Sequence, residues 1–312
     1  MEIKELLALY ARHPQVKALA RVISKEKVRV TSVSGLQASS APLAFAALHH
    51  LKGAASSGNN QAPLLFILDD QEEAGYFYHD LVQLLDEQQV LFFPSSFRRA
   101  VKFGQRDAAS EILRTEVLAK VTTTGTSVPM VVSYPEAIAE RVVSKKTLDD
   151  RTLQLRVGEQ VDISFVEQTL LAFGFQRTDY VYEPGQFAVR GSLVDVFSFS
   201  SEYPYRIDFF GDEVDSIRTF EVESQLSRGQ QEMISLVPDL SAEQTEQVPL
   251  ATLLPEETVV VTKDIAFVAE RIGQIWEEGF SRQAEISLTP PDSPSALPIR
   301  EGANTPVSSV FN

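Results

Sequence analysis

Between the turn signals Pro184-Gly185 and Gly211-Asp212, residues 187 to 210 alternate apolar and polar positions in short steps. Proline presets one turn dihedral and glycine frees another, while a period of two sends successive side chains to opposite faces of a sheet. The stretch is therefore predicted as strands with one apolar face and one wetter face. On that alternation Tyr205, Ile207 and Phe209 point one way and Arg206, Asp208 and Phe210 the other. Arg190 lies opposite in parity to Phe187 and Val189, so it too leaves the apolar face. Two arginines and a phenylalanine turned outward have the make-up of an interface hot spot. Two readings are open: a recognition face, or an Arg206–Asp208 pair on a wet surface with Phe210 packing only against the Gly211-Asp212 turn.

Upstream, residues 1 to 146 alternate short apolar runs with helical periodicity, the pattern of a doubly wound α/β layer. Strands are expected at Val28 to Val33, Pro63 to Leu68, Val90 to Phe93 and Pro129 to Val132, with helices near 42–51, 71–85 and 107–121. A strand at Thr258 to Thr262 and an amphipathic helix from Asp264 to Glu278 read as a return to that layer. The division expected is a nucleotide-binding-type α/β domain over 1–146, a mainly β recognition domain over 147–236, and a segment over 237–312 that completes the first domain. Prolines 290, 291, 294, 298 and 306 predict an extended or disordered end.

Charge supports that partition. Residues 1–146 carry 17 basic against 15 acidic side chains, residues 147–236 carry 7 against 16, and residues 237–312 carry 4 against 12. The acidic later half is a poor surface for nucleic acid, which is held through several phosphate-neutralising cations; a protein partner fits it better. All seven cations in 147–236 are arginine, the side chain whose planar fork pairs bidentately and tolerates partial burial. With no cysteine, disulfides and thiolate chemistry are excluded. The start lacks the basic-then-apolar order of a secretory signal, and no apolar run reaches the ~18 residues of a membrane span. The expectation is a soluble cytoplasmic protein without membrane contact.

The loop from Ser32 to Pro42 lies where a phosphate cradle would sit between strand and helix. A P-loop needs a second glycine, a lysine and a hydroxyl, and counting from Gly35 those positions hold Ser40, Ala41 and Pro42. No nucleotide cofactor or metal is expected here, although a helix N-terminus can still attract an anion. Asp69-Asp70 follow an apolar strand as the magnesium-holding acids of ATPases do, but Asp70 before Glu72 and Glu73 also makes an ordinary helix cap, the reading preferred. His13, His49, His50 and His79 show no metal-ligand spacing. The basic and aromatic segment 97–106 is read as a solvated loop or as a contact to nucleic acid or an acidic domain.

The run DYVYEPGQFAVRGSLVDVFSFSSEYPYRIDFFGDEVDSIRTFEVESQLS, residues 179–227, resembles the domain shared by the excision-repair protein UvrB and the bacterial transcription-repair coupling factors (Mfd). More loosely, the whole chain is similar to their N-terminal UvrB-like module, which implies a degenerate P-loop-NTPase-like parallel-sheet domain with an inserted, mainly β domain. UvrB resembles a working ATPase with a complete P-loop and a tyrosine-rich hairpin that probes damaged DNA. The degenerate Ser40-Ala41-Pro42 and the lack of that hairpin fit the coupling factors instead. The resemblance implies a non-catalytic module that recruits UvrA to stalled transcription complexes, with the UvrA-contacting positions of the family falling on Arg190, Arg206 and Phe210. It also implies that RNA polymerase and DNA are bound, and ATP and magnesium used by a translocase motor, through other parts of a longer protein. Two alternatives remain: an ATP-dependent damage-binding protein like UvrB, and an autoinhibitory domain contacting later parts of the same chain.

Overall fold

The computed structural model describes residues 2–23, 30–55, 63–85, 89–96, 107–122, 130–240 and 246–277. The chain begins with helices α1 (Ile3–Ala11), α2 (Pro14–Ile23) and α3 (Ser40–Ala55). Strand β1 (Leu64–Ile67), helix α4 (Gln71–Leu84), strand β2 (Val90–Phe92), helix α5 (Ala108–Thr122) and strand β3 (Met130–Ser133) follow. Short elements α6 (Pro135–Ala139), β4 (Val142–Val143) and α7 (Lys145–Asp150) then lead out of this layer. Every residue of β1 and β3 is buried, as expected of parallel strands covered by helices on both faces.

The next elements are β5 (Leu153–Arg156), α8 (Ile163–Ala172), β6 (Gln176–Arg177), β7 (Gln186–Arg190), β8 (Leu193–Val196), β9 (Tyr205–Phe210), β10 (Glu213–Phe220), β11 (Ser227–Gln231) and β12 (Met233–Leu236). The chain then returns through β13 (Gln247–Val248) to β14 (Val259–Thr262) and α9 (Ile265–Ile275). Strand β14 lies parallel to β1, giving a four-stranded parallel sheet in the order β14-β1-β3-β2. The molecule is thus mixed α/β, with this parallel sheet and a separate six-stranded sheet in the order β11-β10-β9-β8-β7-β6. One hydrophobic core gathers Leu7 through Leu148 together with Val237, Leu240, Leu250, Leu253 and Val268, so both flanks of the β-rich region share it. A second core lies wholly between Leu155 and Leu236, where Val166 and Leu170 of α8 pack on Phe187, Val194, Val196, Ile207 and Phe209.

One expected strand is corrected. Within Val28 to Val33 the described residues, 30–33, form no strand and stand exposed, Val30 at 85%. Valine-rich sequence favours a strand only where a ladder and a buried face receive it, and among the described residues neither is present. Gly35 and Ala38 then turn through positive φ into α3, with the Gln37 N–H donating to Ser40 Oγ at 2.6 Å and Pro42 in the first helical turn. Among the described residues no sheet strand feeds this loop, so the strand-loop-helix geometry of a phosphate cradle is not formed there. The basic segment 97–106 and the proline-rich end, residues 288–312, lie outside the described residues.

A buried polar network ties β2 to β3. Glu140 and Arg114 are both nearly inaccessible and pair at 3.3 Å; Arg114 also donates to the Pro94 carbonyl at 2.7 Å and stacks on Phe93 at 4.2 Å. Glu140 accepts from the Ser96 N–H and Oγ at 3.0 and 2.7 Å, and Tyr134 Oη accepts from the Ser95 N–H at 2.8 Å. Burial raises the Tyr134 hydroxyl from its ordinary 10 to about 12. Because the folded value lies above the unfolded one, the stability present below pH 10 is lost as pH climbs from 10 to 12, to a total of about 3 kcal/mol. Urea unfolding at stepped pH should show this decline. Tyr134→Phe should show a shallower one and be about 1 kcal/mol less stable at neutral pH, where the Ser95 N–H loses its acceptor.

Candidate protein-docking face

The six-stranded sheet buries one face. Phe187, Val194, Val196, Ile207, Phe209, Val214 and Ile217 point into the second core. The opposite face carries Ala188 and Arg190 on β7, Asp195 on β8, Arg206, Asp208 and Phe210 on β9, and Arg218 on β10. The register sets Ala188, Asp195, Arg206 and Arg218 in one cross-strand row and Arg190, Leu193 and Asp208 in the next. Each hairpin at the edge of this patch turns through two residues with glycine first: Gly191 at φ 62° after Arg190, and Gly211 at φ 63° after Phe210. That position of a type II′ hairpin requires a positive φ, which glycine takes without strain.

At the centre of the face stands Asp195, only 2% exposed although it points away from the main core. Its Oδ1 accepts from Arg206 Nε at 2.7 Å and its Oδ2 from Arg206 Nη2 at 2.9 Å, a fork-to-fork pair, while Arg190 Nη2 also donates to Oδ2. Arg206 additionally donates to the Gln225 carbonyl at 3.3 Å and to Gln225 Oε1 at 3.2 Å, and its guanidinium lies over Phe220 at 4.4 Å. Gln225 reaches it from an unusual backbone conformation, φ 57°, braced by its own N–H to the Glu221 carbonyl at 2.8 Å. The pairing with Asp195 raises the pKa of Arg206 still further, so it stays charged at any accessible pH. Arg190 lies over Tyr180 at 5.1 Å. Beneath the arginines, Val181, Ala188, Phe197 and Phe220 form a small second apolar layer, which is why this outer face is itself half-apolar.

The three expected residues therefore differ in placement. Phe210 is 82% exposed at the end of its strand, Arg190 is 36% exposed at the side chain, and Arg206 is 16% exposed. Strand alternation separates Arg206 and Phe210 by two steps of about 7 Å, with Asp208 between them. Arg206 does not pair with Asp208: Asp208 faces Arg218 at 3.8 Å and accepts from Ser192 Oγ at 3.3 Å. Sequence reading missed Asp195, Gln225 and Tyr180; the one available signal was an acid within the apolar strand Leu-Val-Asp-Val.

The other sequence candidates lie elsewhere. Asp70 Oδ1 accepts from the Glu73 N–H at 2.9 Å and so caps α4, while Asp69 faces Lys263 at 3.5 Å. Lys263 also pairs with Glu73, which raises its pKa. Among the described residues no group of histidines and acids has metal-binding geometry, and no helix is long and apolar enough to cross a membrane.

A half-apolar sheet face with an ordered guanidinium cluster and a protruding phenylalanine characterises the mainly β region, which is distinct from the α/β layer. Residues 153–241 match the family model of the UvrB interaction domain. The chain is similar to the transcription-repair-coupling factor of Escherichia coli K12, 38% identical over 101 residues that make up 32% of this chain and 9% of that protein. It is likewise similar to those of Bacillus subtilis, 29% identical over 148 residues (47% and 12%), and Staphylococcus aureus RF122, 29% identical over 172 residues (54% and 14%). The matched regions thus span 9 to 14% of these relatives.

The geometry separates structural from exposed groups. Arg206→Ala should destabilise the chain by about 1.5 to 3 kcal/mol, since it strips a buried carboxylate of a charged partner. Phe210→Ala should leave stability within about 0.5 kcal/mol. Chemical denaturation of the two variants checks both.

Proposed function

We propose that this chain is a non-catalytic protein-binding module of a transcription-repair coupling factor, whose outer sheet face docks UvrA and so links stalled RNA polymerase to nucleotide excision repair in the bacterial cytoplasm. The observation that carries this reading is the exposed Phe210 beside the Arg190–Asp195–Arg206 cluster, within the segment matched by the UvrB interaction domain. Arg190 would meet a carboxylate or carbonyl of the partner, and Phe210 an apolar pocket, the pairing of charged rim and aromatic anchor found at hot spots. RNA polymerase, DNA, and the ATP and magnesium of a translocase motor belong to other parts of the longer protein. The α/β layer, over residues 1–146 and 237–312, is a degenerate relative of P-loop nucleotide-binding domains, and residues 147–236 are the recognition domain inserted into it.

Calorimetry of the chain against purified UvrA tests the reading. Arg190→Ala and Phe210→Ala should each weaken binding by about 1.5 kcal/mol or more, roughly tenfold. Phe210→Ala should leave the melting temperature unchanged, and Arg190→Ala, which takes one of two charged partners from buried Asp195, should lower it modestly while the chain stays folded. Affinities equal to that of the unaltered chain would remove this face from the interface.

A further inference from the structure

We infer that Asp195 is the positioning residue of the docking face: it touches no partner itself but clamps Arg206 as a fixed buttress and holds the Arg190 guanidinium in the orientation it presents. This rests on the docking reading above and says which of its groups make contact and which hold them in place.

The hydrogen-bond inventory separates the two arginines. Arg206 spends Nε and Nη2 on Asp195 and both terminal nitrogens on Gln225, with its flat face covered by Phe220. Of its five N–H groups four are engaged, leaving little for a partner. Arg190 gives only Nη2 to Asp195; among the described residues its Nε and Nη1 make no other bond, and it is the more exposed of the pair. Among the described residues, the shared carboxylate is the one hydrogen-bonding group that links them. A long side chain that must be ordered on binding loses rotamer freedom, and one already held in place does not. The Tyr180 ring, 5.1 Å from the Arg190 guanidinium, supports the same orientation.

The sign of one substitution separates positioning from charge. With two guanidiniums and one carboxylate the cluster carries net +1, and Asp195→Asn raises it to +2. If attraction to an acidic partner depended on charge alone, this variant would bind UvrA more tightly. If Asp195 positions Arg190, it will bind more weakly, by about tenfold or more, mainly through faster dissociation.

Surface plasmon resonance with the 312-residue chain and purified UvrA, alongside thermal melting, reads this out. Asp195→Asn and Arg190→Ala should each weaken binding, and the double variant should fall no more than about threefold below the weaker single one, because both remove the same contact. Tighter or unchanged binding by Asp195→Asn, or losses that multiply in the double variant, would overturn the inference. Should Asp195→Asn fail to fold, Arg190→Lys decides: it keeps the charge but not the planar fork, so a loss close to that of Arg190→Ala is expected and full affinity would refute positioning. If Arg190→Ala and Phe210→Ala both leave affinity untouched, the docking reading itself fails and this inference with it. Losses in those two with none in Asp195→Asn would sink only the role of Asp195.

Discussion

A carboxylate taken out of water on a central strand must be neutralised where it stands, because an isolated buried charge costs several kcal/mol. Asp195 is in that position, and much of the outer sheet face follows from it. Arg206 must lie across toward β8 to reach it, Phe220 must be large and flat enough to carry the guanidinium, and Gln225 must adopt a strained backbone to occupy two of the three remaining N–H groups. The second arginine then finds one carboxylate oxygen already shared, which leaves it only partly engaged. A face built in this way is held at its centre and leaves exposed surface at its margin, where Arg190 and Phe210 stand.

That face is supported from outside its own sheet. Its β-rich region leaves the α/β core after α7 and returns at Val237, and the two crossings lie side by side: β5 pairs with β12, and the Phe199 N–H donates to the Val237 carbonyl at 3.0 Å. Ser198, fully buried, accepts from the Val237 N–H at 2.8 Å and exchanges a 2.7 Å bond with Ser200. These bonds satisfy backbone groups that would otherwise be buried without partners where the chain passes between cores. In the α/β layer the Arg114–Glu140 network has the same role at the ends of β2 and β3.

Elements whose signals are local were legible in the sequence. The apolar runs of β1 and β3, the Asp70 cap of α4 and the helical spacing in α5 all depend on neighbours a few residues away. So was the outward parity of Arg206, Asp208 and Phe210, since a pleated strand dictates it. What periodicity could not supply was the partner. On sequence distance Arg206 belongs with Asp208, two residues along, yet in space the facing residue of β8 is closer to its reach, and that residue is Asp195. The strand expected at Val28 to Val33 shows the opposite limit: propensity was right for a strand, but residues 30–33 have no ladder to join among the described residues. Both differences come from long-range pairing, which depends on topology rather than on composition.

The exclusive use of arginine over residues 147–236 takes on a specific meaning at this cluster. A lysine at 206 could neutralise Asp195 but could not grip both oxygens, reach the Gln225 carbonyl and lie flat on Phe220 together, since an ammonium is a point charge without a plane. The same region carries 16 acidic side chains against those 7 arginines, so its long-range field repels an acidic partner rather than drawing it in. A positive spot of net +1 in such surroundings is felt only near contact, within about 8 Å at physiological salt. On the proposed docking reading, recognition would therefore depend on how well a few fixed groups fit the partner once it has arrived, and the pairing of both arginines with Asp195 would make such a fit reproducible.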